Sequence, residues 1–324
     1  MPSELSYLST EMFGAILKGN SDGCSQFRIQ EAQFPRHRLC GCAVTVFIWA
    51  TWIIATRHSS GTHLGTIDLG LIRYGLPALV LAPVWLKTGL IPRDVPLALL
   101  TIMVCGAGAL FFQVTTFAIH STPASAVGVL LGGSMPLAAA LIGVLMFGER
   151  PDLTRWLGLA SIVAGLAILL ALALNSHEIT WVSFVFLPLG ALLWAAYTHA
   201  FKCSGLTALQ GGALIAVWSF LIHVGLALAF GTTILDVPLS ELGLQFLSQG
   251  VLSGLAAMLA YGIAVRSLGG SQAAAFSALT PVLAALGGAI FLDEPVGVWE
   301  IAAALITGLG VALSTGILSH RAKG

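Results

Sequence analysis

The sequence predicts an all-α integral membrane protein whose ten transmembrane helices form two inverted five-helix repeats. The first observation is composition: 57% of the 324 residues are hydrophobic, 9% are charged, and the mean hydropathy is +0.94. Soluble domains carry roughly 25% charged residues, so this chain could not cover a water-facing surface. The second observation is a series of apolar runs of membrane-crossing length. The third is a constant register between the two halves of the chain.

The apolar runs begin at position 39 and alternate with short links, each run being close to the roughly 20 residues that cross a bilayer. In the first half they cover 39–56, 69–87, 95–118, 124–146 and 154–174, and in the second half 180–201, 207–230, 242–265, 272–292 and 297–318. Turn formers and charges mark the breaks, as at Pro92-Arg93-Asp94. We interpret the polar residues 1–38 as a flexible cytoplasmic tail and residues 319–324 as a second one.

Five landmarks recur at one offset. Each lies 145 positions before its partner (281 minus 136, for example), the pairs being Trp49 and Trp194, Arg57 and Lys202, Pro136 and Pro281, Glu149 and Glu294, Gly165 and Gly310. We therefore divide the chain into a first repeat, 39–174, and a second repeat, 180–318. Because five spans is an odd number, the second copy enters the membrane from the opposite side. Inverted repeats of this kind are typical of alternating-access transporters.

Basic residues are distributed unevenly over the links. With a cytoplasmic N-terminus, twelve basic residues fall inside and only Arg57 falls outside. The excess of positive charge on cytoplasmic loops then predicts a multi-pass protein of the plasma or inner membrane with both termini in the cytoplasm. On that assignment Glu149 lies at the inner face and Glu294 at the outer face.

Aromatic residues inside the spans are candidates for a solute cavity. Trp49 and Trp52 lie on one helical face, and Trp194 and Tyr197 occupy the equivalent positions in the second repeat. Two such faces could enclose a planar or amphipathic solute. Plain packing or an interfacial aromatic belt is the alternative interpretation.

Polar and charged residues inside the spans are further candidates, because lipid offers them no hydrogen-bond partners. Gln113 and Thr116 form a stripe on the third span. His199, on the sixth, is a candidate proton-linked switch, with exposure to the headgroups as the alternative. Arg73 is the basic residue within a span, and we expect its long side chain to extend to the outer interface.

Two prolines and two glutamates occupy matching positions in the repeats. Pro136 and Pro281 are expected to interrupt their helices, and such paired interruptions point to a binding site. Glu149 and Glu294 end helical hairpins, where we expect them to act as structural clasps or gate elements. The hydroxyl groups that could meet the freed carbonyls or the solute are those of Ser134, Ser277 and Thr280.

These landmarks carry a family resemblance. Segment 124–172, with Gly148-Glu149-Arg150-Pro151, resembles the signature hairpin of the EamA family of the drug/metabolite transporter superfamily, and segment 271–316, with Leu292-Asp293-Glu294-Pro295, resembles it again. Leu71-Ile72-Arg73-Tyr74-Gly75 resembles the family's second helix. The resemblance implies a ten-helix carrier of small organic solutes, commonly an exporter of amino acids or related metabolites. As a departure, Trp218 stands where the repeat would place a counterpart to Arg73.

Other classes of protein lack support in the sequence. The net charge is zero, so nucleic acid is not an expected partner. Nothing resembles a nucleotide loop or a metal triad, so we expect no cofactor, and the partners are a small-molecule solute and the lipid bilayer. Proton coupling and facilitated diffusion both stay open, as do a monomer and a homodimer.

An integral-membrane enzyme is the alternative function. His63 and Asp68 match the H-x4-D spacing of some acyltransferases. They lie in a short loop without a second charged cluster to bind a phosphoryl or acyl donor, so the sequence favours a protein that is not an enzyme. A channel is disfavoured too, since no ring of charge or repeated filter sequence is visible.

Overall fold

The computed structural model describes residues 36–148, 150–176, 179–268 and 279–314. Over these ranges all regular structure is helical, and no strand occurs among the residues described. Helices satisfy their backbone hydrogen bonds internally, as a bilayer requires. Large apolar side chains such as Leu145, Leu174 and Leu228 are at least 70% exposed on the outside of the bundle, where lipid would cover them.

The first repeat runs from α1 to α8, with several helices divided by a break or an irregular turn. Its elements are α1 (Arg36–Ser59), α2 (Thr66–Val80), α3 (Ala82–Thr88), α4 (Leu97–Ala107), α5 (Ala109–His120), α6 (Ala124–Val127), a π turn (Gly128–Gly132), α7 (Gly133–Phe147) and α8 (Leu153–Ser176).

The second repeat follows the same plan. Its elements are α9 (Trp181–Cys203), α10 (Ala208–Phe230), a 3-10 turn (Ile234–Asp236), α11 (Leu239–Gln245), a π segment (Phe246–Ala257), α12 (Met258–Leu268), α13 (Thr280–Phe291) and α14 (Val298–Ser314).

Six helical stretches are long and apolar enough to cross a bilayer by length and composition, within the part of the chain described. They are Leu97–His120, Ala124–Met146, Leu153–Leu172, Trp181–Cys203, Ala208–Phe230 and Leu239–Ile263. A seventh candidate is the pair α2 and α3, which bend by 72° at a break where Pro83 has no N–H to continue the helical ladder. The shorter helices α13 and α14 are also apolar. The all-α membrane prediction is confirmed, while the count of ten spans stays a prediction.

Equivalent helices of the two repeats pack against each other. Helix α2 packs on α10, and the pair is antiparallel because Gly70 approaches His223 whereas Ala78 packs with Ala216. The first helix of each repeat packs instead on the third and fourth helices of the other repeat: α1 contacts the π segment and α13, and α9 contacts α4, α5 and α7. Exchanging the repeats converts one set of contacts into the other, which is the pattern expected of a pseudo-twofold relation.

The last helices, α8 and α14, form the most extensive helix–helix contact and are antiparallel too. Glycine allows the close approach: Gly165 lies against Thr307, and Gly310 lies against Ile162. Thr307 is 145 positions after Ile162, just as Gly310 is 145 positions after Gly165. The two contacts are therefore the same contact seen from either repeat.

The third helix of each repeat is irregular at a matching position. In the first repeat α4 and α5 meet at Gly108, and 145 positions later Ser253 lies within the 12-residue π segment. A side chain at position 108 would collide with the Ser219 hydroxyl, so glycine suits this contact with α10. Discontinuous helices at corresponding positions of two repeats mark the part of a transporter-like bundle where a site is expected.

Candidate functional site

A narrow cavity lies where the two repeats meet. Its walls come from α1, α2, α5, the π turn and α7 of the first repeat and from α9 and α13 of the second. The lining residues are Trp49, Trp52, Ile53, Arg73, Phe111, Leu131, Gly132, Met135, Trp194 and Thr280. The volume of the cavity is about 30 Å³, which is enough for about two water molecules. The walls must therefore move apart before an organic solute could enter.

Aromatic rings form most of the cavity wall. The repeat partners Trp49 and Trp194 meet edge to face, with ring centroids 5.7 Å apart and an interplanar angle of 88°. Phe111 is 5.1 Å from Trp194 and stacks on Trp52 at 6.2 Å. Behind them Tyr261 packs on both Trp49 and Trp194. Edge-to-face and offset contacts of this kind are favourable and hold the rings in place.

Arg73 lies in the cavity wall, not at the membrane interface. Its residue exposure is only 6%, and its guanidinium carbon lies 5.1 Å from the Trp52 ring centroid and 5.3 Å from that of Phe112. The Nη1 group makes a long hydrogen bond of 3.5 Å to the Gln249 amide oxygen. The expectation that Arg73 extends to the outer interface is therefore wrong: the rotation of α2 about its axis directs the side chain inward, where rings take the place of water.

Several hydrogen-bond donors at the cavity have no acceptor. Among the described residues, no partner is present for the Arg73 Nε–H, for the indole N–H groups of Trp52 and Trp194, or for the Thr280 hydroxyl, although all four atoms are buried. Buried polar atoms are nearly always hydrogen-bonded in folded proteins. Four orphaned donor groups around one cavity therefore indicate a place where an acceptor-bearing molecule would fit.

The predicted cavity residues divide into two groups. Trp49, Trp52, Trp194 and Thr280 line the cavity. Tyr197 does not, since its buried ring packs behind Trp194 at 5.2 Å.

The remaining predicted residues that the structure describes do not line the cavity. The Gln113 amide nitrogen donates to the Thr66 carbonyl at 3.1 Å and lies 3.0 Å from the His223 ring nitrogen, so it joins α5 to α2 and α10. Thr116 and Ser134 are buried outside the cavity lining, and His199 is half-buried on α9. Ser277 and Glu149 lie outside the described residues.

The two prolines differ in their surroundings. Pro136 lies in α7 just after the π turn, so the irregular turn and the proline interrupt the fourth helix together. Pro281 lies in the first turn of α13 as described, a position where a proline needs no N–H partner. The paired interruption is therefore visible only in the first repeat.

An ion pair joins the repeats at one end of the cavity region. The Arg57 Nε donates to Glu294 Oε1 at 2.8 Å, and the Ala124 backbone N–H donates to Glu294 Oε2 at 2.7 Å. Arg57 also donates to the His120 carbonyl. Glu294 thus ties the end of α1 and the start of α6 to the end of α13. This geometry agrees with a clasp, and it identifies Arg57 as the partner of Glu294.

Asp68 and the backbone of His63, the residues of the proposed acyltransferase motif, make hydrogen bonds that hold two loops together. Asp68 is buried, and its carboxylate accepts hydrogen bonds from the Gly65 N–H at 3.0 Å and the Thr233 hydroxyl at 2.8 Å. The Thr233 hydroxyl lies against the His63 carbonyl as well. The motif therefore joins two loops, and no cluster of three metal-ligating side chains occurs in the described ranges. Nothing in this geometry favours the acyltransferase alternative.

Several wall residues gave no usable signal in the sequence. Phe111, Leu131 and Met135 are apolar residues in apolar helices, so composition and periodicity could not single them out. Arg57 was detectable, because it and Glu294 are oppositely charged members of repeat pairs. Gln249 was detectable as an amide inside a predicted span.

Comparison with known proteins assigns the family. A family model described as EamA-like transporter family matches the chain twice, over residues 39–171 and 181–316. One solved crystal structure is similar to this chain, with a TM-score of 0.58 and 18% sequence identity. The alignment covers 90% of this chain and 100% of the other chain, and the similarity is one of fold alone. A comparison with curated proteins found no match. Because the two matched stretches span most of the chain, the protein belongs to the EamA-like transporter family and is a multi-pass membrane transporter of the drug/metabolite transporter superfamily.

Proposed function

We propose that this protein is a secondary transporter that moves a small organic solute through the cavity between its repeats by alternating access. We further propose that the solute is an amino acid or related metabolite and that the direction is export. The observation that carries the proposal is the cavity itself, which lies on the seam between antiparallel, equivalent helices and has orphaned donors in its wall. Inverted repeats can exchange conformations, so opening of the seam would alternate between the two faces.

The Arg57–Glu294 ion pair is the proposed closure of one end. By the 145-residue offset it corresponds to Lys202 and Glu149, of which Glu149 lies outside the described residues. Lys202 is exposed, whereas the Arg57 side chain is only 27% exposed because Glu294 covers it. In the described residues the clasp is thus formed in one repeat, and the equivalent cation of the other repeat is exposed. Under alternating access we expect the two clasps to form in turn.

Purified protein in liposomes provides the test. Vesicles are loaded with a panel of radiolabelled amino acids and small carboxylic acids, and efflux is followed without nucleotide, with and without an imposed pH gradient. We expect efflux of at least one solute above that of protein-free vesicles. Acceleration by the gradient would indicate proton coupling, and no acceleration would indicate facilitated diffusion. Absence of efflux for the whole panel, with covalent turnover of an acyl donor, would favour the enzyme alternative.

A further inference from the structure

We propose that the transported solute is an organic anion, which presents a carboxylate or similar oxyanion to Arg73 and an apolar, preferably planar, body to the tryptophan walls. This inference rests on the proposed transport function and specifies its substrate class. It follows from the charge of the cavity wall, from its unpartnered hydrogen-bond donors and from its shape.

The charge argument begins with a buried cation that lacks an anion. Arg73 is 94% buried, given its residue exposure of 6%, and no ion pair to it occurs among the described residues. The faces of Trp52, Tyr74 and Phe112 lie 5.1–5.9 Å from its guanidinium carbon and offset part of the lost hydration. Burial of a charge is costly unless it is paired, so an incoming anion would be attracted to this position.

The hydrogen-bond inventory favours the same chemistry. The orphaned atoms of Arg73, Trp52 and Thr280 are all donors or hydroxyl groups. No aspartate or glutamate is among the lining residues that the structure describes. A carboxylate accepts up to about four hydrogen bonds and donates none, so it complements a wall rich in donors. A guanidinium also binds a carboxylate through two parallel hydrogen bonds, which adds orientation to attraction.

The walls define the rest of the solute. Trp49, Trp194 and Phe111 present flat apolar surfaces to the same space, and such surfaces suit a ring or a short hydrocarbon chain. Aromatic faces also attract cations. In this cavity, however, Arg73 already lies against the Trp52 ring, and its positive charge would repel a second cation at short range.

The charge is present in only one repeat, which gives the cavity a single anion position. Trp218 replaces Arg73 in the second repeat, and its indole N–H donates to the Leu90 carbonyl at 2.9 Å, away from the cavity. The pseudo-twofold relation therefore supplies paired aromatic walls and one unpaired cation. A solute with one oxyanion at one end of an apolar body matches this arrangement.

The test compares three probes that share a ring and differ in charge: phenylacetate, phenylacetamide and phenethylamine. Equilibrium binding of the radiolabelled compounds is measured with the full chain in lipid nanodiscs. We expect phenylacetate to bind about 10- to 100-fold more tightly than phenylacetamide, the range for a hydrogen bond to a charged group, and phenethylamine to bind most weakly. Phenylalanine is a fourth probe: binding of the zwitterion without binding of phenylacetate would overturn the proposal.

Two variants locate the effect. Arg73→Gln is expected to remove the preference for phenylacetate over phenylacetamide, and Arg73→Lys to restore part of it. If Arg73→Gln does not fold, as judged by thermal melting, Trp52→Phe keeps the ring and removes one donor, and we expect it to weaken phenylacetate binding severalfold. Trp299→Phe, at an exposed position, is the matched control. An unchanged preference in Arg73→Gln, or unchanged phenylacetate binding in Trp52→Phe where that variant is used instead, would overturn the assignment.

Transport measurements separate this inference from the function on which it rests. Efflux of phenethylamine from proteoliposomes without efflux of phenylacetate would overturn the anion proposal and leave the carrier function standing. Tight binding of phenylacetate without efflux of any solute would instead remove the carrier function. Efflux of phenylacetate that Arg73→Gln abolishes would support both.

Discussion

At the scale of single residues, Trp49 and Trp194 occupy one position in two copies of the same unit. Their rings touch across the seam, and each also packs on Tyr261. A solute that separates the repeats would have to replace this ring–ring contact with its own. We therefore expect the two tryptophans to affect both solute binding and closure directly, whereas Tyr197 packs behind Trp194 and does not line the cavity.

Replacing Trp49 or Trp194 with alanine should reduce solute flux by about tenfold or more. Each aromatic pair contributes about 1 kcal/mol beyond the apolar area that it buries, and each ring makes several such contacts. Tyr197→Ala should have a smaller effect because the ring lies behind the wall. Flux in proteoliposomes is compared at equal reconstituted protein. Trp156→Ala is the control, since Trp156 is 57% exposed on the outside of α8. Full flux in both cavity variants would contradict the assignment.

Arg57→Ala and Glu294→Ala should each lower the transport rate by up to about fivefold. A partly exposed ion pair contributes up to about 1 kcal/mol, which corresponds to that factor. The double variant should be no worse than the more impaired single variant, because both substitutions remove the same contact. The wild-type protein, the two single variants and the double variant form a double-mutant cycle, and their initial efflux rates are compared.

The pair formed by His58 and Glu241, 3.1 Å apart with side-chain exposures of 45% and 13%, provides the control. Because Glu241 also accepts a hydrogen bond from Gln245, the control variant is His58→Ala, which should transport normally. Additive losses at Arg57 and Glu294 would argue against a shared clasp.

At the scale of secondary-structure elements, the fourth helices of the two repeats end in the same way. Gly148 has φ of 63°, and Asp293, at the equivalent position, has φ of 52°. A left-handed residue after the last turn ends a helix and turns the chain toward the next one. In the second repeat this turn places Glu294, whose N–H bonds back to the Gly288 carbonyl, beside Arg57. The helix end thus positions the clasp.

Gly148→Ala should lower stability by about 1 kcal/mol, because a left-handed conformation is unfavourable for a residue with a Cβ atom. The site has open space around it, so crowding does not contribute. Gly225→Ala is the matched control: it also has open space but lies inside α10 without a left-handed φ. That control should be neutral or stabilising. Thermal denaturation in detergent is the measurement, and equal effects of the two variants would contradict the conformational explanation.

At the scale of the whole molecule, the repeats are joined by antiparallel contacts between equivalent helices. Helices α8 and α14 approach each other closely at Gly158, Gly165 and Gly310, so this helix pair is tightly packed. The cavity lies on the aromatic side of the same seam. We expect motion that opens the cavity to rearrange the third and fourth helices, where the irregular turns occur, while α8 and α14 stay packed.

Single cysteines at Arg150 and Pro295 should be labelled from opposite sides of the membrane. The two positions are exposed and are 145 residues apart, so inverted repeats place them at opposite faces. The five native cysteines are first replaced by serine, and a membrane-impermeant maleimide is applied to intact and to permeabilised cells. Labelling of both positions from one side would exclude inversion. Efflux of the proposed solute by each variant confirms that it is folded.

The sequence by itself determined the membrane class, the helical fold and the two-repeat plan. Too few charges are present for a water-facing surface, and a constant offset of 145 residues survives because equivalent positions must make equivalent contacts. The same offset identified Trp49 and Trp194, since a large aromatic side chain inside a span is visible without any coordinates.

Only the tertiary structure decided which way Arg73 faces and what completes the wall around it. The direction of a side chain depends on the rotation of its helix, which packing against the π segment and α10 sets, and no local pattern encodes that rotation. Phe111 and Met135 became wall residues for the same reason. The orphaned donors likewise exist only in three dimensions, because a hydrogen-bond partner is present or absent according to which distant helices meet.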